Sequence, residues 1–124
     1  MSNEIMNKSK YDLEERTAMF GENIIKFAKQ VIENVITRPL IIQLVRSGTS
    51  VGANYCEADD AESRKDFKHK IGICKKESRE VKHWLRMLSM ALPPLEEKIN
   101  VLHQEAKELN LIFNAIIHST NKNN

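Results

Sequence analysis

Glu80 and His83 stand three residues apart, the Glu-x-x-His step with which each of two helices in a di-metal bundle supplies a carboxylate and an imidazole, two further Glu completing the cage. Such a cage needs two copies of the step, and this chain has one. With Phe67 at the centre of the helix face, Glu80 and His83 fall about 140° and 160° away from it, so neither is expected to project among neighbouring helices. No metal or other cofactor is therefore expected. His69, His103 and His118 lie among charged or polar neighbours, with no Ser or Cys nucleophile at a motif spacing, and read as solvated side chains. Cys56 and Cys74 form no C-x-x-C pair; Cys74 falls on an apolar face, where a thiol acts as a small buried hydrophobe. No nucleophile, base and orienting group converge, so the chain reads as non-enzymatic.

The run from Arg46 to Ala58 gathers small and hydroxylated residues inside an otherwise unbroken helical pattern, with Gly48 and Gly52 four apart. Glycine costs roughly 1 kcal/mol against alanine in a helix interior, so the pair points to close packing against another helix. The hydroxyls of Ser47, Thr49 and Ser50 are expected to bond to carbonyls one turn back. A phosphate cradle would need Gly-x-x-x-x-Gly-Lys-Ser after a strand, and neither the spacing nor a strand is present.

The charge distribution is more specific. Between Ser63 and Leu92 the sequence holds nine Lys or Arg against three Asp or Glu, a local charge of +6 in a chain of net +2, so the remainder sums to −4. Arg64, Lys68, Lys75, Arg79, Lys82 and Arg86 project about 60° to 120° from the core centre of the helix and form one stripe, with Asp66, Glu77 and Glu80 on the opposite flank. Three readings are open: contact with nucleic acid or another polyanion, pairing with an acidic protein surface, or plain solvation.

Four helices must position these residues. Leu13, Thr17, Phe20, Ile24, Phe27, Val31 and Val35 recur at three- and four-residue steps and place the first helix from about residue 11 to Thr37, where Pro39 disfavours continuation. The second runs from about Pro39 to Asp59 around Leu44, Val51 and Tyr55. Ser63, with Asp66 three residues on, resembles the N-cap of the third, which carries Phe67, Ile71, Cys74, Val81, Leu85 and Leu88 and stops at Pro93-Pro94. The fourth opens at Pro94, has Glu96 and Glu97 in its first turn, where the helix dipole favours carboxylates, and buries Ile99, Leu102, Ala106, Leu109, Phe113 and Ile117. No segment alternates with period two. Short connections make successive helices antiparallel neighbours, so the fold class is all-α, an up-down-up-down four-helix bundle in one domain over 1–124 with ends expected to fray at about 1–10 and 119–124.

Residues away from those cores hint at assembly. Ile25, Ile32 and Ile36 form a second stripe on the first helix, and Val101, Leu111, Ile112 and Ala115 do so on the fourth. A lone bundle would leave these wet, which favours a homo-oligomer, with Trp84 at the edge of such a contact. At 124 residues, 41% hydrophobic and 29% charged, the composition is that of a single soluble domain. The lack of a signal-peptide pattern or an uninterrupted apolar 18-mer makes the cytoplasm the expected location and leaves no role for a membrane.

Gln43-Leu44-Val45-Arg46-Ser47, Thr49 to Tyr55, Glu57-Ala58, Ser63, Asp66-Phe67, Lys76-Glu77 and Trp84-Leu85, in that order, resemble the proteins encoded in intervening sequences of bacterial 23S rRNA genes. The likeness spans the middle half of the chain, and Phe27-Ala28 and Pro39 fall where that family would have them. The resemblance implies small antiparallel bundles that assemble into ring-shaped homopentamers. It also implies kinship with the accessory protein of diversity-generating retroelements, which is associated with a reverse transcriptase and, through a basic surface, with nucleic acid. The leading expectation is a helical bundle that binds RNA or DNA through the stripe from Arg64 to Arg86. The alternative is an adaptor or accessory subunit that docks an acidic protein partner such as a reverse transcriptase.

Overall fold

The computed structural model describes the backbone of residues 2–122 and the side chains of residues 13–122. Helix α1 spans Ser2–Gln30, α2 Thr37–Asp59, α3 Arg64–Ala91 and α4 Glu96–Lys122, with a single 3-10 turn, Pro93–Leu95, before α4. Helical backbone extends through the polar segments expected to fray, while Met1, Asn123 and Asn124 lie outside the described residues. Among the described residues there is no strand, and none of the helices is long and apolar enough to cross a membrane.

Each helix packs on its neighbour in sequence, most extensively α2 on α3, while α1 and α4 close the bundle with slight contact. The core holds Phe20, Ile24, Leu44, Val51, Ile71, Val81, Leu85, Leu88, Leu109 and Phe113, drawn from all four helices at three- and four-residue steps. The hydroxylated run of α2 bonds to its own helix: Ser47 Oγ donates to the Gln43 carbonyl at 2.8 Å, Thr49 Oγ1 to Val45 at 2.8 Å and Ser50 Oγ to Arg46 at 2.7 Å. Gly48 and Gly52 face α1: a Cβ on Gly48 would lie 2.9 Å from Cγ1 of Ile24, and one on Gly52 3.2 Å from the Thr17 carbonyl oxygen.

The first helix stops earlier at its C-terminal end than its periodicity predicts. It ends at Gln30 rather than near Thr37. The Asn34 side chain accepts hydrogen bonds from the Ile36 and Thr37 amides, each at 2.9 Å, while Thr37 Oγ1 accepts from the Asn34 amide and donates to the Ile32 carbonyl at 2.8 Å. This local network satisfies the amides that open α2 and holds the chain out of the helix. Val35, expected in the core, is consequently 92% exposed. Ile32 and Ile36 belong to this connection rather than to a stripe on α1. The start of α4 is likewise displaced, from Pro94 to Glu96, because the two prolines sit in the 3-10 turn.

Candidate nucleic-acid interface

Ser63 is the N-cap of α3, its hydroxyl accepting from the Asp66 amide at 3.0 Å. That cap fixes the rotation at which α3 starts, and Ile71, Cys74, Ser78, Val81, Leu85 and Leu88 then anchor the helix from below. Burial pushes the Cys74 thiol up to about 12, and its Sγ reaches the Val51 carbonyl at 3.5 Å.

The two flanks of α3 differ in their charge chemistry. Toward α2, cations are paired: Lys70 with Glu57 at 3.3 Å, and Arg46 with Glu77 and Glu80 at 3.1 Å each. Glu77 is buried, and its carboxyl lies above the usual carboxylate range because desolvation and then the Glu80 charge outweigh Arg46. Toward α4, Asn110 Nδ2 ties the helices by donating to the Lys75 carbonyl at 2.8 Å and to Ser78 Oγ at 3.1 Å. Beyond that tie the surface is basic. Burial, then the charges of Lys82 on α3 and Lys107 on α4, push His103 below its ordinary value, which favours the neutral imidazole, so it is Lys107 that brings positive charge from α4 to this side.

The six stripe residues lie on this outer flank: Arg64, Arg79 and Arg86 exposed, Lys68, Lys75 and Lys82 half-buried along their stems. Among the described residues no ion pair engages the side chains of Lys68, Lys75, Arg79, Lys82 or Arg86, whereas Arg16, Arg38, Arg46 and Lys70 are all paired. Lys65 and Lys76, outside the sequence-derived stripe, extend the same surface across the solvent face of α3. Their angular offset from the core hid them; the run of basic side chains around Gly72 was the available signal.

The other sequence-derived positions fall as follows. Glu80 is held by Arg46 and His83 is exposed, its ring edge-on to Trp84 with centroids 4.9 Å apart. No three His, Cys, Asp or Glu converge among the described residues. His103, read as solvated, is half-buried. Ile25, Ile32, Ile36 and Leu111 are exposed, whereas Ile112 is half-buried. Trp84 is half-buried against the core, with its indole N–H enclosed and without a hydrogen-bond partner among the described residues. A groove of about 640 Å³ runs between α1 and α4, lined by Met19, Phe20 and Val101, its wall formed by Arg16 paired to Glu105 at 2.7 Å and Glu108 at 3.0 Å.

Comparison with known families supplies the lineage: residues 9–115 match the model of the 23S rRNA-intervening sequence protein family. The chain belongs to that family. A solved structure of a protein of unknown function from the S23 ribosomal protein family of Bacteroides thetaiotaomicron is similar at 31% identity and a TM-score of 0.76, covering 85% of this chain and 97% of its own. Comparison with curated proteins gave no match. The family model takes in α2, α3 and most of α4, so the helix with the basic surface lies wholly inside the family region.

Proposed function

We propose that this member of the 23S rRNA-intervening sequence protein family is a non-enzymatic, homo-oligomeric bundle that binds RNA or another nucleic acid through the outer face of α3. The observation that carries this reading is that, among the described residues, Lys68, Lys75, Arg79, Lys82 and Arg86 on that face have no carboxylate partner, whereas Lys70, Glu77 and Glu80 on the opposite flank are paired. Lys68, Lys75, Arg79, Lys82 and Arg86 contact phosphates, setting affinity without choosing sequence. Exposed Ile25, Val101 and Leu111, off the basic face, support self-association, which multiplies the charge presented to one polyanion. Mass measurement in solution checks the assembly.

If each protomer neutralises about four phosphates, the logarithm of affinity falls against log salt with a slope of about −3 to −4. Titration of a labelled RNA hairpin across salt concentrations, with wild type and with Lys75, Arg79, Lys82 and Arg86 changed together to Ala, tests this. The variant should bind weakly with a flattened slope; binding equal to wild type rejects the surface.

A further inference from the structure

The chain has four glycines, and three have neighbours: Gly48 and Gly52 lie tight against α1, and a Cβ on Gly21 would make ordinary contact with α2. Gly72 is different. A Cβ there would meet nothing within 4 Å among the described residues, so their packing gives no reason for the poorest helix former after proline in the middle of α3. The position is also not neutral in its surroundings. At −4, −3, +3 and +4 from Gly72, the places that neighbour it on a helix surface, stand Lys68, His69, Lys75 and Lys76, with Lys65 and Arg79 one turn further along the same face at −7 and +7. The bare main chain opens a shallow depression of about 470 Å³ with half-buried Ile73 and Ile117 at its base.

We propose that the sugar-phosphate backbone of a bound RNA strand crosses α3 at Gly72, where the absent side chain lets it approach the helix main chain inside a ring of basic groups. This rests on the nucleic-acid reading above. The geometry joins two features that each need the other. The cations draw in a polyanion and can reach its phosphates on either side of the crossing. The glycine removes the one Cβ that would hold the strand off the helix, and the aliphatic base accepts the apolar edge of a sugar. An acidic helix from a protein partner is the competing occupant, but its bulk would rest on the lysine tips without needing the glycine.

Gly72→Ala separates steric approach from charge, because it removes no cation. The variant should melt about 3 °C higher than wild type, since alanine is the better helix former and meets no obstacle. Its affinity for a fluorescein-labelled RNA hairpin should nevertheless fall about tenfold, the equivalent of one good polar contact, and Gly72→Leu should weaken it further. The plot of log affinity against log salt should shift in parallel, with its slope kept. Gly21→Ala, the same substitution on α1, should leave RNA affinity unchanged. Salt-dependent binding of wild type with equal affinity in Gly72→Ala would overturn the crossing point while leaving the basic surface in place. Absence of RNA binding by wild type would overturn both. Competition by poly-glutamate as effective as unlabelled RNA would overturn the choice of nucleic acid as occupant.

Discussion

Replacing each glycine by alanine, one at a time, applies a single chemical change to four different environments. In every case the helix gains about 1 kcal/mol from the better propensity of alanine, so differences among the four variants report sterics alone. At Gly21 the nearest atoms to a new Cβ lie 3.6 to 3.8 Å away, ordinary contact distances, and the gain is kept. At Gly52 the Cβ would lie 3.2 Å from the Thr17 carbonyl oxygen, a main-chain atom that moves only if α1 moves. At Gly48 it would lie 2.9, 3.0 and 3.3 Å from Cγ1, Cγ2 and Cβ of Ile24, which is fully buried. Rotation about χ1 exchanges the two γ carbons of Ile24 without moving its Cβ, so a rotamer change gives little relief. Overpacking of this kind costs typically about 1–3 kcal/mol. The net change is therefore about 1 kcal/mol of added stability for Gly21→Ala, a loss of up to about 1 kcal/mol for Gly52→Ala and a loss of about 1–2 kcal/mol for Gly48→Ala. In a domain of this size each kcal/mol moves the melting temperature by about 3–5 °C. Calorimetry or urea denaturation of the set, with Gly72→Ala as the unobstructed reference, gives the order directly. If Gly48→Ala proved as stable as Gly72→Ala, helices α1 and α2 would not meet in this register.

Glu77→Gln should flatten the pH dependence of stability. The carboxyl of Glu77 is raised in the folded protein, so the stability it contributes is present below the ordinary value of 4.5 and lost as pH rises through its folded value; urea midpoints measured from pH 4 to 7 should fall less in the variant. Arg46→Ala should act in the opposite sense, costing about 1–2 kcal/mol at neutral pH, a figure reduced for the 45% exposure of the arginine, and less at pH 4 where Glu77 is protonated. Arg16→Ala removes the two-pronged contact to Glu105 across the slight α1–α4 seam; a loss of about 1 kcal/mol that shrinks in high salt is expected by denaturation at two ionic strengths. Titration with a thiol reagent should find Cys56 at once and Cys74 only after unfolding, because Cys56 is exposed and Cys74 is buried with its thiol pushed up to about 12; rapid modification of both in the native protein would contradict the packing of α3 on α2.

Helix number, helix class and most of the core were legible from apolar spacing, since a three- and four-residue repeat has one way to bury its residues together. The Ser63 cap was legible because its acceptor and the Asp66 amide are separated by a fixed local geometry. The end of α1 was not. Leu13 to Val35 keep one period, and only the Asn34–Thr37 network, a competition between side-chain and helical hydrogen bonding, decides that the chain leaves the helix at Gln30. Lys65 and Lys76 escaped the stripe for another reason: angular distance from a core centre says which residues point outward, but not how wide an unopposed surface becomes once the neighbours are in place.

By itself, then, the order of residues determined that four amphipathic helices would form, which faces would meet and that one helix would be strongly basic, because those properties depend on spacing within a segment of chain. Tertiary structure alone decided which charges are neutralised. Arg46 reaches Glu77 and Glu80 across 31 and 34 residues, and Arg16 reaches Glu105 across 89, whereas among the described residues no carboxylate crosses to pair with Lys68, Lys75, Arg79, Lys82 or Arg86 on the outer face of α3. Pairing of that kind is set by distances between helices, which no local period encodes.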